Sequence, residues 1–139
     1  MDQKMIEALK RELEIAIKQA YSPYSGIKVG AVAVGESGRM FHGCNIENDS
    51  FGLTCCAERT AVFNMVANGD KKIKAFAVLG GSTATCMCAI CRQVVGEFVE
   101  SADTEVLKIG RDGDYIIVKF GDLLPFNRQP KRISLKEGE

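Results

Sequence analysis

Two short cysteine motifs constrain this chain more than any other feature of its sequence. Cys56 and Glu58 form a Cys-x-Glu pair at the start of an apolar run, and Cys88 and Cys91 form a Cys-x-x-Cys pair that opens a second such run. Three thiolates can hold one zinc ion, and a zinc site with three protein ligands keeps its fourth position for water, as catalytic sites do. Glu58 stands two residues from a ligand, where a carboxylate can move the protons of that water. The sequence therefore predicts a fold that brings the starts of two helices together.

The positions of the cysteines suit metal binding. Residues three apart in the first turn of a helix lie on one face, so Cys88 and Cys91 can converge on one ion. Cys56 falls at a predicted helix N-terminus, where free backbone amides and the helix dipole favour a thiolate. Three thiolates on a divalent cation leave one net negative charge. Arg59 is the candidate to offset that charge by donating to a ligand sulfur.

Cys55 and Cys86 leave a second interpretation open. Each lies near a predicted ligand, and either could complete a closed structural zinc site with four cysteine ligands. Free cysteines are often simply buried, however. A closed site would also leave the carboxyl group of Glu58 without a function. The site with three ligands is therefore the preferred interpretation.

Several blocks of the sequence, in the same order, resemble one known family. Thr-Cys-Cys-Ala-Glu-Arg-Thr-Ala at 54–61, followed by Cys-x-x-Cys-Arg-Gln from Cys88, is similar to the zinc-dependent cytidine deaminases. Within that family it resembles the small type with three cysteine ligands, which is typically a homotetramer. Segments 21–25, 29–31 and 43–48 also resemble the family's segments. The similarity runs from about residue 21 to residue 126.

The resemblance implies both a reaction and a set of site residues. The reaction is hydrolytic deamination of cytidine and deoxycytidine to uridine and deoxyuridine with release of ammonia, a step of pyrimidine salvage. In zinc deaminases an activated water attacks C4 of cytosine and a glutamate that is not a ligand acts as acid and base, a role that falls on Glu58. The family's pattern carries ribose binding to Asn45 and Glu47 and a base contact to the backbone of Ala57. Phe126 corresponds to an aromatic residue that reaches the pocket of a neighbouring subunit; anchoring of a loose chain end is the other interpretation.

The chain departs from the family pattern beside the predicted pocket. Ile27 stands where the family usually has an aromatic residue that stacks on the base, Met87 stands where it usually has proline, and Asp49 begins a run that replaces two small residues and a tyrosine. Loss of a stacking ring costs about 1 to 3 kcal/mol per base, and an acidic side chain would favour a cationic substrate. The alternatives are therefore a deaminase of another aminopyrimidine or of a cytosine-containing nucleoside antibiotic, similar to blasticidin-S deaminase, and a non-catalytic zinc protein.

Length, charge and cysteine content limit the number of domains, the kind of partner and the cellular compartment. A chain of 139 residues with 46% hydrophobic residues is long enough for one domain with a core and too short for two, so one domain is expected over residues 1–139. Basic and acidic residues number 18 each, so we expect a small-molecule partner and no nucleic acid. The sequence contains no signal-peptide core and no run of 18 apolar residues, so we expect no membrane association. We therefore expect a soluble, cytoplasmic protein, and in that reducing compartment the six cysteines are expected to be metal ligands and buried thiols instead of a disulfide framework.

The spacing of apolar residues predicts the order of the secondary structure elements. Helices are predicted over 3–19, 55–68 and 88–98, and strands over 28–34, 39–44, 73–79, 104–109 and 115–120. The Asp112-Gly113 pair between the last two strands favours an antiparallel hairpin. This order predicts an α/β fold of three layers, like that of the cytidine deaminases, with a five-stranded mixed sheet and helices on both faces.

Overall fold

The computed structural model describes residues 1–81 and 86–125 and contains one five-stranded sheet. The strands are β1 (Gly30–Gly35), β2 (Met40–Cys44), β3 (Ile73–Leu79), β4 (Glu105–Ile109) and β5 (Tyr115–Lys119), and the helices are α1 (Gln3–Ile17), α2 (Ala57–Ala67), α3 (Ala89–Phe98) and α4 (Phe120–Leu123), with a 3-10 turn at Phe51–Leu53. The strand order is β2-β1-β3-β4-β5. Strands β3 and β4 are parallel and joined through α3, whereas the other neighbours are antiparallel. The predicted five-stranded mixed α/β sheet is confirmed.

Alternating side chains along the strands divide the core into two clusters, one on each face of the sheet. On one face, α1 buries Leu9 and Leu13 completely against Val32 and Leu107. Helix α1 begins at an Asp2 N-cap, whose carboxylate accepts a hydrogen bond from the Met5 amide at 2.8 Å. On the other face, α2 and α3 pack together in the second cluster. The helices therefore lie on both faces, as the sequence predicts.

Gly43 on β2 allows α2 to lie directly against the sheet. An added Cβ atom at this position would fall 2.2 Å from the amide nitrogen of Ala61 and 2.3 Å from the carbonyl oxygen of Ala57. Both of these atoms belong to the backbone of α2, so a side chain could be accommodated only by moving the helix. The position of the start of α2 thus depends on a glycine in the strand behind it.

We expect Gly43→Ala to destabilise the fold by about 3 kcal/mol or more, because overpacking against a rigid backbone is costly. The same displacement of α2 should weaken metal binding at Cys56. Chemical denaturation and a zinc titration measure the two effects. Gly52→Ala is the matched control, since an added Cβ there meets no atom within 4 Å. Equal stability of the two variants would contradict the close approach of β2 and α2.

The observed element boundaries differ from the predicted ones in a way that concerns the cysteines. Helices α2 and α3 begin one or two residues later than predicted, at Ala57 and Ala89. Cys56 and Cys88 are their N-cap residues and have extended backbone conformations, with ψ of 155° and 164°. Helix α4 and the 3-10 turn were not predicted, because elements of three or four residues are too short to show a periodic pattern. No helix in the described ranges has the length and apolar character needed to cross a membrane.

Candidate metal centre and active site

The sulfur atoms of three cysteines converge where α2 and α3 begin. The Sγ atoms of Cys56, Cys88 and Cys91 all lie within 4.8 Å of one another, and those of Cys56 and Cys88 are 4.0 Å apart. Within residues 1–81 and 86–125, no other His, Cys, Asp or Glu joins this group. Cys55 and Cys86 therefore lie outside it, which argues against a closed site with four thiolates.

The electrostatic surroundings prepare these cysteines to bind a metal. Hydrogen bonds from the Cys91 thiol, Arg59 and the Cys88 thiol lower the pKa of Cys56 to about 5, so its thiolate is present at neutral pH. The pKa of Cys91 is raised, because its thiol donates to Cys56 and is buried. Neither Cys56 nor Cys88 uses its side chain to cap its helix, so both sulfurs remain available. Three closely spaced sulfurs, one already ionised, form a donor set that fits zinc.

Arg59 supports the cluster from behind. Hydrogen bonds to the sulfurs of Cys56 and Cys91 raise the pKa of its guanidinium against the opposing effect of partial burial. Its Nη2 also donates to the carbonyl oxygen of Thr54 at 3.3 Å. Its buried Nε has no hydrogen-bond partner among the described residues. The arrangement agrees with the predicted role of Arg59 in offsetting the negative charge of the thiolates.

We expect Arg59→Met to reduce zinc affinity by about 10- to 100-fold, the usual cost of removing a partner of a metal ligand. Competition with a chelator of known affinity measures the change. Arg11→Met, at an exposed position on α1, serves as the control for the loss of one positive charge. If both variants bind zinc as tightly as the unaltered protein, Arg59 does not stabilise the thiolates.

Glu58 lies in the wall of a cavity beside the three sulfurs. The cavity has a volume of about 630 Å³, and Cys56 and Cys88 line it as well. Glu58 is only 7% exposed, and burial, together with the nearby Cys56 thiolate, raises the pKa of its carboxyl group. A raised pKa brings the carboxyl closer to the range in which it can both take up and release a proton. A second cavity of about 580 Å³, bordered by Lys10 and other residues on the α1 side, contains none of the predicted catalytic or metal residues.

Three of the predicted substrate-binding residues line the same cavity. These are Ile27, Asn45 and Ala57. The side chain of Asn45 is already hydrogen-bonded to the backbone, since its Oδ1 accepts from the Val29 amide at 2.9 Å and its Nδ2 donates to the Ile27 carbonyl at 2.8 Å. The second N–H of the Asn45 amide group has no partner among residues 1–81 and 86–125, so it can bind a ligand. Ala57 is the first residue of α2, so its amide has no partner within the helix.

Glu47 lies beside the cavity and fixes the loop that borders it. Its carboxylate accepts hydrogen bonds from the Tyr24 and Ser25 amides at 2.9 and 3.0 Å and from the Ser25 hydroxyl at 2.5 Å. These bonds, led by the one from the Ser25 hydroxyl, lower the pKa of Glu47. Ser25 itself lines the cavity. Phe126, the remaining predicted contact, lies outside the described residues.

Two features of the loop that leads to Cys88 were not predicted from the sequence. Arg92 donates to the carbonyl oxygens of Cys86, Met87 and Leu123 at 2.9 to 3.2 Å, so it joins this segment to the end of α4. Met87 has a φ of 55°, a conformation that proline cannot adopt because its ring fixes φ near −65°. Met87 therefore has a backbone conformation that proline, the family's usual residue at this position, could not adopt.

Lys108 is a further residue of the cavity wall that the sequence analysis missed. The signal was present, because Lys108 interrupts an apolar strand and shares a sheet face with Val106, which packs beneath α2 and α3. Lys108 is 5% exposed, and burial lowers the pKa of its ammonium group. A lysine in the middle of a buried strand indicates a functional site more strongly than a lysine elsewhere in the sequence.

The fold and the centre of three thiols define a zinc-binding α/β protein with a buried carboxyl group beside the metal ligands. Residues 3–105 match the family model of the cytidine and deoxycytidylate deaminase zinc-binding region. The chain therefore belongs to the zinc-dependent cytidine deaminase family, as its sequence motifs imply. This membership establishes zinc as the metal that its donor set fits.

Individual relatives agree over most of the chain. A cytidine deaminase of Halalkalibacterium halodurans is 39% identical over 126 residues, which cover 90% of this chain and 92% of the relative. A cytidine deaminase of Sporosarcina psychrophila is 46% identical over 94 residues, covering 67% and 69%. The crystal structure of cytidine deaminase from Burkholderia pseudomallei matches with a TM-score of 0.79 and 40% identity, covering 91% of this chain and 98% of that one. The observed fold is thus the fold of this family.

Proposed function

We propose that the protein hydrolyses cytidine and deoxycytidine to uridine and deoxyuridine with release of ammonia. The observation that carries this proposal is the buried carboxyl group of Glu58 in the wall of a cavity that Cys56 and Cys88 also line. In this proposal Cys56, Cys88 and Cys91 hold one zinc ion. The ion, when bound, supplies a Lewis acid that makes water more acidic at neutral pH.

Glu58 carries out the proton transfers of the proposed reaction. It accepts a proton from the water that attacks C4, delivers a proton to ring N3, and then protonates the amino group, which leaves C4 as ammonia. One water is consumed, and one nucleoside and one ammonia are released. The buried surroundings of Glu58 support this role, because they raise its pKa from the usual range of a carboxyl group.

The rest of the cavity positions the nucleoside. Asn45 offers its second amide N–H to a ribose hydroxyl, and the Ala57 amide, which has no partner within α2, donates to the base. Glu47 is proposed to bind the ribose as well, and it also holds the loop at Tyr24 and Ser25 that borders the substrate. Ile27, 45% exposed, presents an aliphatic surface to the base.

We propose further that the protein is a homotetramer that acts in pyrimidine salvage in the cytoplasm. Large apolar side chains are exposed in the segments next to the site, including Phe51 at 89%, Leu53 at 70% and Ile90 at 61%. Such a patch on a small protein is typical of a surface that another chain covers. Phe126 is proposed to contact the substrate of a neighbouring subunit. Light scattering of the purified protein tests the assembly, and a monomeric mass at micromolar concentration would refute it.

Turnover of cytidine, followed by the loss of its ultraviolet absorbance, tests the proposed activity. The protein should contain one zinc per chain, and ammonia release should equal the loss of cytidine. Failure to release ammonia from any cytosine nucleoside with zinc bound would identify a non-catalytic zinc protein instead.

A deaminase of a different cytosine nucleoside is the second candidate, favoured by Ile27. An aliphatic side chain in the cavity wall forgoes the stacking that an aromatic ring gives to a base, worth about 1 to 3 kcal/mol. Asp49 is exposed but is not part of the cavity wall. A panel of cytidine, deoxycytidine and a cationic cytosine nucleoside separates the candidates. A kcat/KM more than tenfold higher for the cationic compound would favour the second one.

A further inference from the structure

Lys108 is a buried basic residue of the cavity wall that has no role in the proposed reaction as described above. Its side chain lies on the sheet face that packs under α2 and α3, and only 5% of the residue is exposed. The ammonium group donates a hydrogen bond to the carbonyl oxygen of Gly80, at the end of β3. Lys108 and Glu58 line the same cavity. A lysine in such a position requires a compensating partner, because an isolated charge is costly to remove from water.

The Gly80 carbonyl alone does not compensate this charge. An ammonium group has three N–H donors, and among the described residues Gly80 accepts only one of them. The acidic groups that interact electrostatically with Lys108 are Glu58 first and the Cys86 thiol second. Glu58 in turn interacts with the positive charge of Lys108. Lys108 and Glu58 are therefore a basic and an acidic group buried in the wall of one cavity.

We propose that Lys108 is a positioning residue that holds the carboxyl group of Glu58 in place by charge pairing across the cavity. The metal centre itself attracts no carboxylate, because three thiolates on a divalent cation leave one net negative charge. Arg59 is already hydrogen-bonded to the cysteines and to Thr54. Within the described part of the chain, Lys108 and Arg59 are the two cations that act on Glu58, and the effect of Lys108 is the larger. The catalytic part of this inference rests on the proposed deaminase function, whereas the pairing itself does not.

A role limited to holding Gly80 makes different predictions. Gly80 lies eight residues before the candidate ligand Cys88, so loss of its hydrogen bond to Lys108 would be expected to reduce zinc binding. Loss of a charge partner would instead leave zinc in place and misplace Glu58. The two roles therefore separate in zinc content and in their dependence on Glu58.

The first test compares Lys108→Met with Leu107→Met, a control on the same strand whose side chain faces α1. We expect kcat of Lys108→Met to fall about 10- to 100-fold, the scale of a small misplacement of a catalytic group. KM should stay within about twofold, and one zinc should remain per chain. Should Lys108→Met fail to fold, Lys108→Gln replaces it, because glutamine retains a donor without the charge. Loss of zinc, or a loss that falls on KM alone, would overturn the proposal.

The second test is a double-mutant cycle in thermal unfolding of the zinc-loaded protein. Each of Lys108→Met and Glu58→Gln leaves one buried charge without its partner, whereas the double variant removes both charges. We expect the double variant to unfold at a higher temperature than the sum of the two single shifts predicts. Additive shifts would overturn the pairing. This test needs no turnover, so absence of cytidine hydrolysis in the unaltered protein would refute the proposed function without touching the result for Lys108.

Discussion

Glu58→Gln should lower kcat by about 10²- to 10⁴-fold, the usual contribution of general acid and base catalysis. The substitution keeps the size of the side chain and removes its ability to accept and return a proton. Because Glu58 is not one of the three converging thiols, zinc content should stay at one per chain. The fold should also persist, since the amide fills the same buried position. Steady-state kinetics with metal analysis measures both quantities on one preparation.

Glu97→Gln is the matched control, because Glu97 is exposed on α3 and lies outside the cavity wall. Its kcat should equal that of the unaltered protein. If Glu58→Gln retained more than a tenth of the original kcat with zinc bound, the protons would have to move through another group. The role of Glu58 as acid and base would then be wrong.

Cys56→Ala should lose most of the zinc and, with it, the turnover. Removal of a group that only supports a ligand already costs about 10- to 100-fold in affinity, so loss of a ligand should cost at least about 100-fold. The effect should be large at this position because Cys56 is the thiol that is ionised before the metal binds. Zinc analysis after dialysis against a weak chelator measures the loss.

Cys55→Ala provides a control one residue away, and Cys86→Ala provides one before the second motif. Neither thiol belongs to the group of sulfurs within 4.8 Å of one another. Both variants should keep one zinc per chain and most of their activity. Full zinc retention in Cys56→Ala, or equal loss in all three variants, would contradict the assignment of the ligands.

The convergence of three cysteines was predictable because metal binding depends on residue types at fixed spacings. When two helices of a small domain both begin with cysteines, a shared metal site is the simplest reason for their spacing. In the structure Cys56, Cys88 and Cys91 lie together. Short runs of apolar and β-branched residues likewise predicted all five strands and the helices on both faces of the sheet. Helices α2 and α3 were predicted to begin too early, because an N-cap residue shares the composition of the helix while its backbone is extended. Strands β1, β2 and β4 also begin one or two residues later than predicted.

Features that depend on tertiary contacts were not predictable in the same way. The hydrogen bonds from the Tyr24 and Ser25 amides to Glu47 join residues that are 22 or more positions apart. Neither segment alone has a sequence pattern that predicts them. The close approach of Gly43 to α2 is likewise visible only once the helix is placed on the sheet. The sequence shows a lysine within the apolar strand at Lys108, but only the structure shows that this lysine lines the cavity.

Cytidine turnover by protein of measured zinc content tests the central assignment most directly. The structure and the family predict one zinc per chain, loss of cytidine absorbance, and one ammonia released for each uridine formed. Removal of the zinc should abolish the reaction, and its return should restore it. One zinc per chain with no turnover of cytidine or deoxycytidine would contradict the proposed activity.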